Sequence, residues 1–134
     1  MNAPWSSSEG GINTLIGSAD MHLKNWSIIY PDRRPAALAP AYDFVSTIPY
    51  IADEFAAIKY ARTKRMCELS LDELRHSAAK ARLPEMLIID AATETVARFH
   101  EDRAEAKKGR DPIGKDVAQA IDTHLQSLEL VKEA

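Results

Sequence analysis

A single cysteine, Cys67, among 134 residues excludes an internal disulfide and a thiolate metal cluster. No apolar run approaches the roughly 20 residues that a membrane-spanning helix needs. Residues 1–11 lack the basic start and apolar centre of a signal peptide. Positive charge is not in excess: 17 Lys and Arg against 20 Asp and Glu give a net charge of -3. That leaves no basic footprint for direct contact with nucleic acid and no attraction to anionic lipid. The expectation is a cytoplasmic protein with neither a membrane nor a nucleic acid as direct partner. Glycine is also scarce, with five in the chain. Gly10-Gly11 is too short for a phosphate-cradling loop.

The length suits one domain with one modest core. Residues 1–11, with Trp5, three serines and two glycines, read as a tail, disordered or expression-derived. Residues 12–134 read as a single domain without internal repeats. Ile12, Leu15 and Ile16 have helical spacing, with Gly17 at the helix end. Ser18 to Asn25 is a polar loop. Trp26 to Tyr30 reads as a strand, Pro31 to Pro35 as a turn, and Leu38 to Phe44 as an extended return, since Pro40 opposes helix there. Phe55 to Tyr60 and Lys64 to Leu69 suggest two further short strands.

Residues 70–130 are expected to be helical. Ser70 and Glu73 form a capping box, with Leu71, Leu74, Ala78 and Ala81 inward. Pro84 fits the first position of a second helix, with a stripe of Ile88, Ala91, Ala92, Thr95, Val96 and Phe99. That stripe fades into a charged, solvated end at Glu101 to Lys108. Asp111 and Pro112 are expected to open a third helix, with Val117, Ile121, His124, Leu125 and Leu128 on one face. The fold class is therefore mainly α with a small β-hairpin.

The most informative segment is 17–44. Asp20, Lys24 and Asn25 fall within six residues, and Asp43 follows 18 residues after Asn25. A hairpin between them brings its outer ends together, so Asp20, Asn25 and Asp43 are expected to converge. Phosphoryl transfer uses such a set: one carboxylate to orient the attacking hydroxyl, and an amide plus a second carboxylate to hold magnesium on nucleotide phosphates. Taken singly, each residue has a plainer reading. Asp20 and Asn25 are ordinary turn residues, and Lys24 is a surface charge. Asp43 sits between Tyr42 and Phe44, where an unpaired carboxylate is costly.

The joint arrangement Ser18-Ala19-Asp20-x-His22-x-Lys24-Asn25, then Leu38-Ala39-Pro40-Ala41-Tyr42-Asp43, resembles the C-terminal lobe of the HipA-like serine/threonine kinases, toxins of bacterial toxin–antitoxin pairs. The resemblance is detailed over residues 12–60 and holds in outline over the helical remainder. It implies a protein-kinase-like C-terminal lobe and an ATP-dependent serine/threonine protein kinase. Asp20 would be the catalytic carboxylate, and Asn25 and Asp43 would hold magnesium and, through it, ATP. Lys24 would lie near the transferred phosphate, and His22 would brace the loop. Implied partners are an N-terminal lobe, a HipB-like helix-turn-helix antitoxin, and a protein substrate such as an aminoacyl-tRNA synthetase. Ser18 departs from the family's usual Asn.

The residues before the loop cannot supply a phosphate-covering loop, a lysine for the α/β-phosphates and an adenine hinge. The chain is therefore expected to be the severed C-terminal part of such a kinase, inactive alone. The alternative is a non-enzymatic remnant that binds an antitoxin-like partner. A metal-dependent hydrolase using Asp20, His22 and Asp43 is weaker, because further spaced ligands are lacking. Elsewhere the plain readings prevail. His124 is a satisfied core histidine, His76 and His100 lack a second ligand at helical spacing, and Cys67 is buried and inert. Arg62 to Arg65 is a solvated basic turn, and Trp26 is core behind the loop.

Overall fold

Ser70 starts the helical half as its capping chemistry dictates: its hydroxyl accepts the N–H of Glu73 at 3.1 Å. The computed structural model describes residues 8–22, 25, 27–40, 42, 44–109 and 113–134. Within them the order is α1 (Ser8–Leu15), β1 (Ile28–Ile29), β2 (Ala37–Leu38), α2 (Leu71–Ala81), α3 (Glu85–Lys108), α4 (Lys115–Ser127) and α5 (Glu129–Glu133), with short 3-10 turns at Pro31–Arg33 and Met66–Glu68. The fold is mostly helical with one two-stranded antiparallel sheet, as expected.

Helix α3 is the central element, packed against both α1 and α2, while α4 contacts α1 and α5. One core joins them. Leu15, Tyr60, Met66, Leu74, Ile88, Val96, Ile121, Leu125 and Leu128 are buried together, with Phe99 partly buried against them. The three apolar stripes read from the sequence therefore face one another. Helix α2 ends at Arg82 in the left-handed region (φ 55), where Arg82 N–H reaches Ala79 O and Leu83 N–H reaches Ala78 O. This is the reciprocal 6→1 and 5→2 closure that glycine normally supplies.

Several expectations need correction. Helix α1 begins at Ser8, inside the stretch expected as a tail. Gly11 lies where α1 meets α3, and a Cβ there would sit 3.2 Å from Thr95 Cγ2. The small residue allows the close approach. Helix α4 starts at Lys115 after Gly114, later than Asp111; Asp111 and Pro112 lie outside the described residues. The chain breaks at fully buried Leu128, and α5 follows, with Leu130 N–H bonded to Leu69 O at 2.9 Å. In place of two strands at 55–69 there is a single bridge between Phe55 and Arg65, followed by the 3-10 turn. Arg103, expected on a solvated end, is 8% exposed and donates to Asp122. Cys67 is half-buried rather than buried.

The turn at 61–63 is held by Glu73, whose side chain is 3% exposed. It accepts from the backbone N–H groups of Ala61, Arg62 and Thr63 and from Arg62 Nε at 2.7 Å. Burial pushes its carboxyl up, but those donors outweigh burial and bring it down to about 2. Arg62 is exposed, as expected of a solvated turn, and also reaches Asp72 at 2.8 Å. Tyr60 is buried beside this turn and shares a hydrogen bond with Thr14 Oγ1 at 2.9 Å. Burial pushes its phenol up to about 12.

Candidate functional site

The polar loop is launched by the end of α1. Gly17 N–H donates to Thr14 O at 3.2 Å and Ser18 N–H to Asn13 O at 2.8 Å. That closure places Gly17 in the left-handed region at φ 67, which glycine adopts without a Cβ clash. Ser18 is buried, and Asp20 emerges two residues later.

A second strap comes from the far side of the hairpin. The N–H groups of Thr47 and Ile48 donate to Gly17 O at 3.1 and 3.3 Å. Thr47 Oγ1 also donates to Gly17 O at 3.2 Å and accepts Ala19 N–H at 2.9 Å. His124 Nε2 lies 2.8 Å from Thr14 O, so it carries the proton and donates it. The histidine is satisfied, as expected, and burial holds its pKa below the ordinary value. Thr47, Ile48 and His124 thus position the loop. Sequence reasoning missed these roles, because nothing local marks Thr47 as the partner of a glycine 30 residues earlier.

Within the loop, Asp20 O accepts His22 N–H at 2.9 Å and Asn25 Nδ2 at 3.1 Å. Asn25 N–H donates to His22 O at 3.0 Å. The Asp20 carboxylate is left about half exposed, with His22 Nε2 3.4 Å from Oδ1. Asp20, His22 and Asn25 are therefore gathered on one turn. Lys24, Asp43 and Trp26 lie outside the described residues.

The hairpin register is Ile28 opposite Leu38 and Ile29 opposite Ala37. Ala39 N–H donates to Ser27 O, and Ser27 Oγ shares a 2.8 Å hydrogen bond with Tyr42 OH. The segment just after Asn25 is thereby tied to Tyr42, the residue before Asp43. Both faces of this ribbon are exposed and apolar, at Ile28, Ile29, Tyr30 and Leu38. A two-stranded ribbon is marginal in water without something packed on it.

No group of three or more His, Cys, Asp or Glu suited to a metal occurs among the described residues. The donor chemistry nevertheless fits magnesium bound together with phosphates, which takes only one or two protein groups. With Nδ2 of Asn25 committed to Asp20 O, its Oδ1 remains as a hard oxygen donor.

Known proteins bear on this geometry. A family model described as HipA-like C-terminal domain matches residues 11–106. A protein of Sinorhizobium fredii named "Putative kinase Y4dM" is 58% identical over 90% of this chain and 30% of its own length. Another from the same organism, "Putative kinase Y4mE", is 32% identical over 69% of this chain and 24% of its own. The fold resembles a structure titled as the Shewanella oneidensis MR-1 toxin–antitoxin system HipA, HipB and operator DNA complex. The TM-score is 0.69 at 23% identity, over 94% of this chain and 29% of that one. The chain thus spans about a third or less of the relatives it matches. With a single family model accounting for most of its length, the chain belongs to the HipA-like C-terminal domain family.

Proposed function

We propose that this domain carries the catalytic loop of an ATP-dependent serine/threonine protein kinase, acting in a cytoplasmic toxin–antitoxin assembly. The observation that carries the reading is the bond from Asn25 Nδ2 to the Asp20 carbonyl. It sets a half-exposed carboxylate and an amide oxygen on one turn, strapped from below by Thr47. Asp20 accepts the proton of a substrate hydroxyl and orients that oxygen for attack. Asn25, with Asp43, would hold magnesium, which when bound offsets charge on the ATP phosphates. Lys24 would add a point positive charge near the transferred group. His22, through its backbone bonds to Asp20 and Asn25, holds the turn closed.

The exposed apolar hairpin supports a partner lobe seated over the loop, with the nucleotide between. A helix-turn-helix antitoxin is proposed as a further partner, because one solved neighbour is titled as a complex of HipA, HipB and operator DNA. The test is phosphorylation by the 134-residue chain alone and by a fusion that supplies the preceding part of Y4dM. The isolated chain is expected to show no turnover and the fusion to phosphorylate a serine or threonine. Robust turnover by the isolated chain, or a fusion indifferent to Asp20→Ala, would overturn the reading.

A further inference from the structure

A groove of about 530 Å³ runs between the 48–54 segment and α4, lined among others by Ile48, Ile51, Asp53, Glu54, Asp116 and His124. Among the described residues its charged lining is one-sided: three carboxylates, and no Lys or Arg. Asp53 accepts Phe55 N–H, and Glu54 makes a long exposed contact of 3.6 Å with Arg65. Asp116 makes no ion pair among the described residues. His124 spends Nε2–H on Thr14 O, which leaves Nδ1 an acceptor. The charged and imidazole groups that remain available are therefore acceptors, while Ile48, Ile51 and two alanines supply apolar walls. That combination matches a long side chain with an aliphatic stem and a donor-rich cationic head. The volume falls in the range of ligand sites and exceeds one side chain.

We propose that this groove docks an Arg- or Lys-bearing segment of the protein substrate. The source follows from position, and this clause rests on the kinase reading above. Ile48 packs on Gly17, three residues before Asp20, so chain length alone keeps the Asp20 Cα within about 11 Å of that contact. A segment held here presents its flanking residues to the loop.

The probe is a fluorescein-labelled dodecapeptide alternating Arg and Leu, against a control with Glu for Arg, read by anisotropy on the 134-residue chain. Binding is expected for the Arg peptide only, weakening with added salt and at least tenfold in Asp116→Arg and in Ile51→Arg, both checked as folded by circular dichroism. Asp20→Ala should bind normally, which separates the groove from the catalytic reading. In the Y4dM fusion, Asp116→Arg should raise KM for an Arg-containing substrate peptide at unchanged kcat. Equal binding of both peptides, equal binding by the groove variants, or an unchanged KM would overturn the proposal.

Discussion

A Cβ atom placed on Gly17 would lie 2.6 Å from Cδ1 of Ile48. The left-handed backbone of the first residue and the side chain of the second therefore form one contact, and it fixes where the loop begins. Gly17→Ala adds backbone strain of about 1–2 kcal/mol to an overpacking cost of about 1–3 kcal/mol. A loss of roughly 2–5 kcal/mol is expected in urea unfolding. Ile48→Ala combined with Gly17→Ala should recover the steric part and leave the strain, a coupling that a double-mutant cycle reads directly.

Glu73 is a buried carboxylate on which acid stability depends. Its folded pKa, about 2, lies below the ordinary 4.5. Its contribution is therefore complete above pH 4.5 and is lost as pH falls through about 2. By linkage the shift corresponds to about 3 kcal/mol at neutral pH. Glu73→Gln should remove that acid-dependent component from a stability profile between these limits. Glu73→Ala, which strands three backbone donors, should cost about 3 kcal/mol or more. A flat profile in the native protein would refute the assignment.

Arg82 tests the opposite direction. It is exposed and holds φ 55 at the end of α2, a conformation glycine adopts without penalty. Arg82→Gly should raise stability by about 0.5–1 kcal/mol, read as a higher midpoint at unchanged m-value. An unchanged or lower midpoint would mean that the side chain contributes more than its geometry suggests.

What the sequence discloses and what it hides divide along local and non-local physics. Ser70 and the stripe through Ile88, Val96 and Phe99 are local patterns, and the helices they announce are present. The break at Leu128 has no glycine or proline to announce it; it exists because Leu130 pairs with the distant Leu69 carbonyl. The end of α1 is announced by Ile12, Leu15 and Gly17, but its start at Ser8 is hidden because Gly10-Gly11 has poor helix propensity, and packing of Gly11 against Thr95 overrides that. In the site, the nearness of Asp20 and Asn25 was legible from their spacing. The brace of Thr47 on Gly17 was not, since a hydroxyl 30 residues away leaves no periodic trace.

Asn25 offers the sharpest dissection of the loop. Its Nδ2 donates to Asp20 O, and its Oδ1 is the atom proposed to face magnesium. Asn25→Asp keeps an oxygen but loses the donor, and adds a negative charge beside Asp20. Asn25→Ala loses both. The bond is exposed, so either change should cost under about 1 kcal/mol of stability. In the Y4dM fusion the alanine variant should lower kcat on the order of 100-fold or more, the scale of removing one charge-stabilising group. The aspartate variant should be impaired as well, because an oxygen without its anchoring donor is no longer held in place. If aspartate restores full activity, the Nδ2 bond positions nothing and only the oxygen matters. If alanine retains full activity, Asn25 has no part in the chemistry, and the proposed set of Asp20, Asn25 and Asp43 loses its centre.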